Sequence, residues 1–201
     1  MQNNAGEGGL VAYFGYGSLV NRNTLRTEIV DALPARLKGW RRQWVRRDEE
    51  SNRALLSVRR DPASVIDGLL VIDRAENLPA VDLREERYRR VRLASTDLEL
   101  SAAELPAGCP LHVYEAAALY APAQLEIIQS YLDAVLQGFL REYGRAGVER
   151  FVAETDGFSA TVLADRKTPS YPRSVTLGAE EEAYFDALLM QKVAGFASFV
   201  R

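Results

Sequence analysis

The chain has 201 residues, of which 47% are hydrophobic and 26% charged, enough for one well-buried core and ordinary for a soluble globular protein. A formal charge of −3 and a pI near 5.4 give no global attraction to nucleic acid or to an anionic membrane, so small molecules are the expected partners. The single cysteine, Cys109, excludes an internal disulfide, and no run reaches the roughly 18 uninterrupted apolar residues of a membrane-spanning helix. MQNNAGEGG lacks the basic start and apolar run of a signal peptide, which makes the cytoplasm the expected location.

Residues 1–9 are polar and glycine-rich and read as a flexible tail, and residues 10–201 read as one domain. LVAYFGYGS begins as a strand and runs into two glycines flanking Tyr16, a spacing that suggests a tight loop where something approaches the main chain. NRNTLRTEIV has a cap in Asn21 or Asn23 and predicts a short helix. ALPARLKGW, RQWVRR, RALLSVRR and SVIDGLLVIDR, separated by charged or turn-like segments such as RRDP, predict a series of strands. NLPAVDLREE predicts a short helix with Asn77 as cap and Pro79 in its first turn, and YRRVRLAS and LHVYEAAALY predict further strands.

Leu125, Ile128, Leu132, Val135, Leu136, Phe139 and Leu140 recur at helical spacing and predict a core-facing helix over about 122–143. ERFVAETDGFSATVLADR returns to extended structure, and a last helix is predicted over about 179–199. Strands dominate the first half and helices follow without regular βαβ alternation, so the fold class is α+β.

Several chemistries are excluded by what the sequence lacks. Val20 stands where a dinucleotide loop needs its third glycine, and no Gly-Lys-Ser/Thr follows the loop. Tyr16 and Val20 occupy the glycine positions of a serine-nucleophile elbow around Ser18, and the only histidine, His112, lies on an apolar strand without a recognisable acidic companion. One histidine and one cysteine supply no metal-ligand spacing, so neither metal nor other cofactor is expected. What remains is carboxylates, tyrosines and backbone dipoles, and the densest such cluster is REERYRR at 84–90. WRRQWVRR and RYRRVR interleave aromatics with arginines as a single-strand nucleic-acid binder does, but alternation along a strand, one face packed and the other carrying solvated arginines, accounts for them more simply.

The loop and the charge run together resemble the γ-glutamylcyclotransferase-like family, which includes the glutathione-degrading ChaC proteins. FGYGSL at 14–19 is similar to the family's loop after its first strand. VDLREERYRRV at 81–91 resembles its short helix ending in Asp-x-x-Glu, followed by Tyr and a strand, and DRKTPSYPRSVTLGA at 165–179 resembles its late Pro-x-Tyr segment. Glu86 stands where the family usually has glycine, so the choice of Glu85 over Glu86 rests on the three-residue distance to Tyr88. The Arg-Gly-Thr-Pro stretch of the ChaC branch has no counterpart in RRDEESNRALLSVRRDP.

The resemblance implies a mixed sheet closing toward a small β-barrel, with helices around it and a site at one mouth. It implies conversion of a γ-glutamyl compound to 5-oxoproline with release of the attached amine or amino acid. Glu85 would be the general acid/base, and Tyr16, Gly17, Ser18, Leu19, Val20, Tyr88 and Tyr171 the substrate-binding residues. For Tyr88 and Tyr171, core packing with a satisfied hydroxyl is an equal reading. A catalytically silent metabolite-binding domain of the same fold is the alternative, and the identity of the leaving group and the oligomeric state are left open.

Overall fold

The computed structural model describes residues 9–25, 28–100, 104–120 and 124–199. Residues 1–8 of the expected tail lie outside them. Strand β1 (Leu10–Gly15) is buried along almost its whole length and sits in the middle of a mixed sheet, as its unbroken apolar run requires. Strands β2 (Asp31–Arg46) and β3 (Ala54–Arg74) form one long antiparallel hairpin instead of four separate strands. The turn chemistry expected to divide them is absorbed as a bulge. Lys38 pairs with Val65 and Trp40 with Arg60, Gly39 between them has φ 77°, and Asp61 accepts bonds from Ala63 N and Ser64 Oγ opposite.

Helix α1 (Leu78–Arg84) has Asn77 before it and Pro79 in its first turn, as predicted, and leads to β4 (Tyr88–Arg92) and β5 (Leu98–Leu100). Strand β6 (Leu111–Ala116) pairs parallel with β1 and antiparallel with β4. Three residues of the predicted long helix are instead strand β7 (Glu126–Ile128), paired with β9 (Thr161–Ala164), and helix α2 runs over Gln129–Ala153 with a break at Gly144, φ 65°. The apolar spacing through Leu132, Val135, Leu136 and Phe139 is the buried face of α2; before it, pairing of the Ile127–Ile128 segment overrides helical spacing. Strand β8 (Thr155–Asp156) adds to β2. Helix α3 (Ala179–Leu189) stops ten residues short of the predicted end, and β10 (Gly195–Ser198) pairs parallel with β9. The predicted helix after the first loop is only a 3-10 turn at Arg22–Thr24.

The main sheet runs β4-β6-β1-β3-β2-β5, with β8 on β2, and a smaller sheet runs β10-β9-β7. The α+β class is as expected, and the main sheet stays open, with β4 and β5 at opposite ends of the path. Its core is continuous with the inner face of α2 and with Phe185 and Leu189 of α3. Helix α2 therefore lies against the end of β1, where the loop begins.

Candidate active site

The loop after β1 is fixed before any ligand is considered. A Cβ at Gly15 would stand 2.6 Å from Leu19 Cβ, so only glycine lets the chain fold back this tightly. Asn21 is buried and donates from its side chain to Ala134 O at 2.9 Å and Gln137 Oε1 at 3.1 Å, pinning the loop to α2. The two surfaces touch because α2 has glycine at 138, where a Cβ would stand 2.6 Å from Asn21 N. Within the loop, Val20 N bonds Gly17 O and Asn21 N bonds Ser18 O. Among the described residues, the N–H groups of Gly17 and Leu19 have no protein acceptor.

Helix α1 delivers the carboxylate. Glu85 caps its C-terminus with N–H to Val81 O at 3.0 Å, and its own carbonyl accepts from Tyr88 N at 2.8 Å, which turns the chain directly into β4. Arg84 clamps this corner to the loop. It donates to Thr24 O at 2.8 Å and reaches Ser18 Oγ at 3.4 Å, while its Nε lies 2.9 Å from Glu85 Oε1. The Glu85 side chain retains 14% of its accessible surface. Burial raises its pKa, and the neighbouring guanidiniums of Arg84 and then Arg173 pull it back only in part. Glu86 lies beside it at the rim and is exposed.

Glu85 stands between two connected spaces. The outer is a cavity of about 210 Å³ lined by Ser18, Trp44, Arg47, Leu55, Leu56, Arg84, Tyr88, Ile128, Tyr131, Tyr171 and Arg173 among others. The inner holds about 20 Å³, room for one small polar atom or water, between Tyr16, Gly17, Ser18, Leu19, Tyr88, Tyr114 and Tyr131. The tyrosines divide into two kinds. Tyr16 donates its hydroxyl proton to Tyr114 O at 2.6 Å and Tyr88 donates to Leu56 O at 2.9 Å, so both keep only lone pairs for a ligand. Tyr131 and Tyr171 donate to no protein acceptor among the described residues, and the Ser18 main-chain N–H is directed at the Tyr131 hydroxyl. Burial holds the phenols of Tyr16, Tyr88 and Tyr131 far up, so all three are neutral donors or acceptors at neutral pH.

Tyr171 is placed by a buried knot on the strap after β9. Asp165 accepts from Ser130 N at 2.7 Å, Ser130 Oγ at 2.7 Å, Ser170 Oγ at 2.6 Å and Ser170 N at 2.9 Å, and Tyr171 N donates to Ser130 Oγ at 3.2 Å. Burial pushes the Asp165 carboxyl up, but these hydrogen bonds outweigh it and hold the group below the usual carboxylate range. The Tyr171 ring then meets that of Tyr131 edge-on at 5.0 Å.

The structure thus brings Tyr16, Gly17, Ser18, Leu19, Glu85, Tyr88 and Tyr171 around these two spaces. Val20 lines neither; it is fully buried in the core. The room at Gly17, expected to admit a substrate, is used by the protein itself: a Cβ there would stand 2.9 Å from Tyr131 Oη and 3.0 Å from Leu56 Cδ2, and its φ is −130°, not positive. The arginines of WRRQWVRR do not form a solvated face. Arg42 is fully buried against Phe139 and Phe151, and Arg47 lines the cavity. Tyr131 lines the site and lies outside every sequence motif, whereas Trp44, Arg84 and Arg173 lie within such segments without a role read from them.

No family model and no curated protein sequence matches the chain. Solved structures do. A γ-glutamyl cyclotransferase superposes over 89% of this chain and 99% of its own with a TM-score of 0.55 at 14% identity. The fold is γ-glutamyl cyclotransferase-like. A protein from Homo sapiens titled as uncharacterised superposes with a TM-score of 0.52 at 16% identity, covering 88% of this chain and 98% of its own. YkqA from Bacillus subtilis gives 0.52 at 18% identity, with 74% of this chain and 56% of its own covered. Among the described residues of this γ-glutamyl cyclotransferase-like fold, no helix is long and apolar enough to cross a membrane.

Proposed function

We propose that the chain is a cyclotransferase that converts a γ-glutamyl compound to 5-oxoproline. The observation that carries this reading is a largely buried carboxylate, Glu85, facing unengaged donors at the end of β1 in a γ-glutamyl cyclotransferase-like fold. Glu85 accepts a proton from the substrate's α-ammonium, and the freed amine attacks its own γ-carbonyl carbon. Charge developing on the carbonyl oxygen is met by the N–H groups of Gly17 and Leu19 and by the Tyr131 hydroxyl. Glu85 then gives the proton to the departing nitrogen as the amide C–N bond breaks, and the second proton shed by the ring nitrogen on closure also goes to that nitrogen, so the amine leaves as an ammonium and the ring as the neutral lactam.

The raised pKa of Glu85 suits a group that must both take and return a proton near neutrality. Nucleophile and electrophile share one molecule, so the site's main task is to hold the ring-closing pose, and the fixed loop and tyrosine walls are suited to it. Most arginines that suggested nucleic acid are engaged elsewhere: Arg41 pairs with Asp156, Arg89 with Glu115 and Arg90 with Asp82. A small γ-glutamyl metabolite is the partner we infer, with the reaction in the cytoplasm. The test is incubation with a panel of γ-glutamyl amino acids, peptides and amines while 5-oxoproline is followed by mass spectrometry. Formation from at least one compound supports the reading; tight binding without product by the whole panel would point instead to a silent metabolite-binding domain.

A further inference from the structure

Adjacent residues on a helix point in different directions and do not face each other, yet Arg84, the last residue of α1, and Glu85, its C-cap, form an ion pair with Arg84 Nε 2.9 Å from Glu85 Oε1. They meet because Glu85 has left the helix, at φ −101° and ψ 31°. The Arg84 side chain keeps only 10% of its accessible surface, and the rest of its fork is engaged by the turn that follows the first loop. Nη1 donates to Thr24 O at 2.8 Å, and Nη2 lies 3.3 Å from Thr24 Oγ1 and 3.4 Å from Ser18 Oγ. Thr24 is itself fully buried, with its hydroxyl 2.6 Å from Ser18 O and its N–H bonded to the carbonyl of Asn21, the residue pinned to α2. Each nitrogen of the guanidinium therefore has an acceptor, with the loop on one side and the carboxylate on the other. Among the described residues Glu85 Oε2, by contrast, accepts no hydrogen bond from the protein, and Glu86, one residue on, is exposed with no cation within 4 Å.

We propose that Arg84 is a positioning residue that aims the base: it fixes Oε1 of Glu85 from the loop and leaves Oε2 as the atom that takes a proton from the substrate's ammonium and returns that proton to the departing nitrogen. The proposal rests on the cyclotransfer reading and assigns the proton-carrying atom and the residue that orients it. A planar guanidinium suits the task because it grips carboxylate and loop in fixed directions at once, which the point charge of a lysine does not. The other groups around Glu85 do not share it. The phenols of Tyr16, Tyr88 and Tyr131, from three separate elements, are held neutral by burial. Tyr171 and Arg173 reach in from the strap, and Arg47, Glu86 and Arg87 line the outer cavity. Among the described residues no arginine except Arg84 lies within 4 Å of the Glu85 carboxylate.

The test measures kcat and KM against pH for wild type, Arg84→Gln and Arg84→Lys on the γ-glutamyl compound of the panel that wild type turns over fastest, with a melting curve on each variant. In Arg84→Gln the plateau kcat should fall about tenfold or more while KM changes little, because the base is misaimed. Its acid limb in kcat/KM should lie about one pH unit or more above that of wild type, because the nearest positive charge is gone. In Arg84→Lys the limb should stay near that of wild type while kcat recovers only in part, since the charge returns and the fork does not. A folded Arg84→Gln with wild-type kcat and an unmoved limb, or an Arg84→Lys with wild-type kcat, overturns the proposal while 5-oxoproline formation leaves cyclotransfer standing. If Arg84→Gln fails to fold, Arg84→Lys decides alone on the same criterion. If wild type turns over no compound of the panel, cyclotransfer falls, and 13C NMR titration of the Glu85 carboxyl, identified by its absence in Glu85→Gln, decides the pairing. A higher midpoint in Arg84→Gln than in wild type supports it, and an equal midpoint overturns it.

Discussion

The inner and outer walls of the cavity are built on opposite principles. On the inner side almost every polar group that positions the loop is already engaged: Asn21 with α2, Tyr16 with Tyr114 O, Tyr88 with Leu56 O and Arg84 with Thr24. Close contacts across Gly15, Gly17 and Gly138 leave no slack. On the outer side, among the described residues, Arg87 and Arg173 have no carboxylate within 4 Å and Arg47 has only its neighbour Asp48 at 3.9 Å, while Trp44, Leu55 and Ile128 supply apolar lining beside them. A wall whose positioning groups are satisfied by protein holds its few free donors, the Gly17 and Leu19 N–H groups and the Tyr131 hydroxyl, in one geometry, as the proposed ring closure demands; a wall with unsatisfied charge is completed by whatever binds there. The division predicts that inner-wall substitutions change turnover and outer-wall substitutions change selectivity.

The largest effect should come from the carboxylate at the junction. Glu85→Gln keeps the shape and removes the proton acceptor, so turnover should drop by about 100-fold or more with the thermal transition little moved, whereas Glu86→Gln at the exposed rim should change the rate by only a few-fold. Steady-state rates and a melting curve on each variant check this. The reverse pattern would shift the site by one residue.

Next in size is the inner wall itself. In Gly17→Ala the new methyl meets Tyr131 Oη and Leu56 Cδ2, so the Tyr131 hydroxyl must move, and a roughly tenfold fall in kcat with a modest loss of stability is expected. Ser18→Ala should retain measurable turnover, because the hydroxyl only accepts a long bond from Arg84. Intact-protein mass spectrometry that traps an acyl ester on Ser18 would replace the glutamate mechanism with a nucleophilic one.

The strap gives a smaller effect on rate and a clear one on stability. Asp165→Asn cannot accept all four bonds from Ser130 and Ser170, so about 1–3 kcal/mol should be lost, with a few-fold fall in activity as Tyr171 loosens. The pH dependence fixes the sign. With a folded-state pKa below the unfolded one, Asp165 stabilises fully above the unfolded value, and that contribution disappears as pH falls through the folded value. Denaturant melts from neutral into acid should show this loss in wild type and a flatter profile in the variant.

The smallest predicted change is a displaced pH profile. Glu85 must be ionised to accept a proton, and burial raises its pKa, so kcat/KM should rise through a limb lying above the ordinary carboxylate range. Arg173 lowers that pKa, so Arg173→Gln should move the limb to higher pH. An unmoved or lowered limb would show that the charge of Arg173 is not felt at Glu85.

The fold class was legible in the sequence because strand-rich and helix-rich halves are distinct, and α1 was legible because Asn77 and Pro79 mark its start. The β2–β3 hairpin was not, since Asp61 and Pro62 read as a turn until a long partner strand turns them into a bulge. Glu85, Tyr16 and Tyr171 could be singled out as candidates because each sits in a short contiguous motif, and all three line the two spaces. Tyr131 carries no such local mark, and Arg173, although it lies in the same motif as Tyr171, carries nothing in the sequence that aims it at a cavity. Tyr131 belongs to the site because its helix docks on a loop distant in sequence, and Arg173 because Asp165 and Ser130 tether the strap across the cavity. Arg47 read as a solvated strand position because alternation counts faces and does not register that the hairpin's end meets a cavity.

The central claim is intramolecular attack, and isotope transfer tests it most directly. A γ-glutamyl substrate labelled with 15N at its α-amine is turned over in 18O water, and the products are weighed by mass spectrometry. Cyclotransfer predicts 5-oxoproline that keeps the 15N and contains no 18O. Glutamate carrying 18O would show that water is the nucleophile and contradict the account.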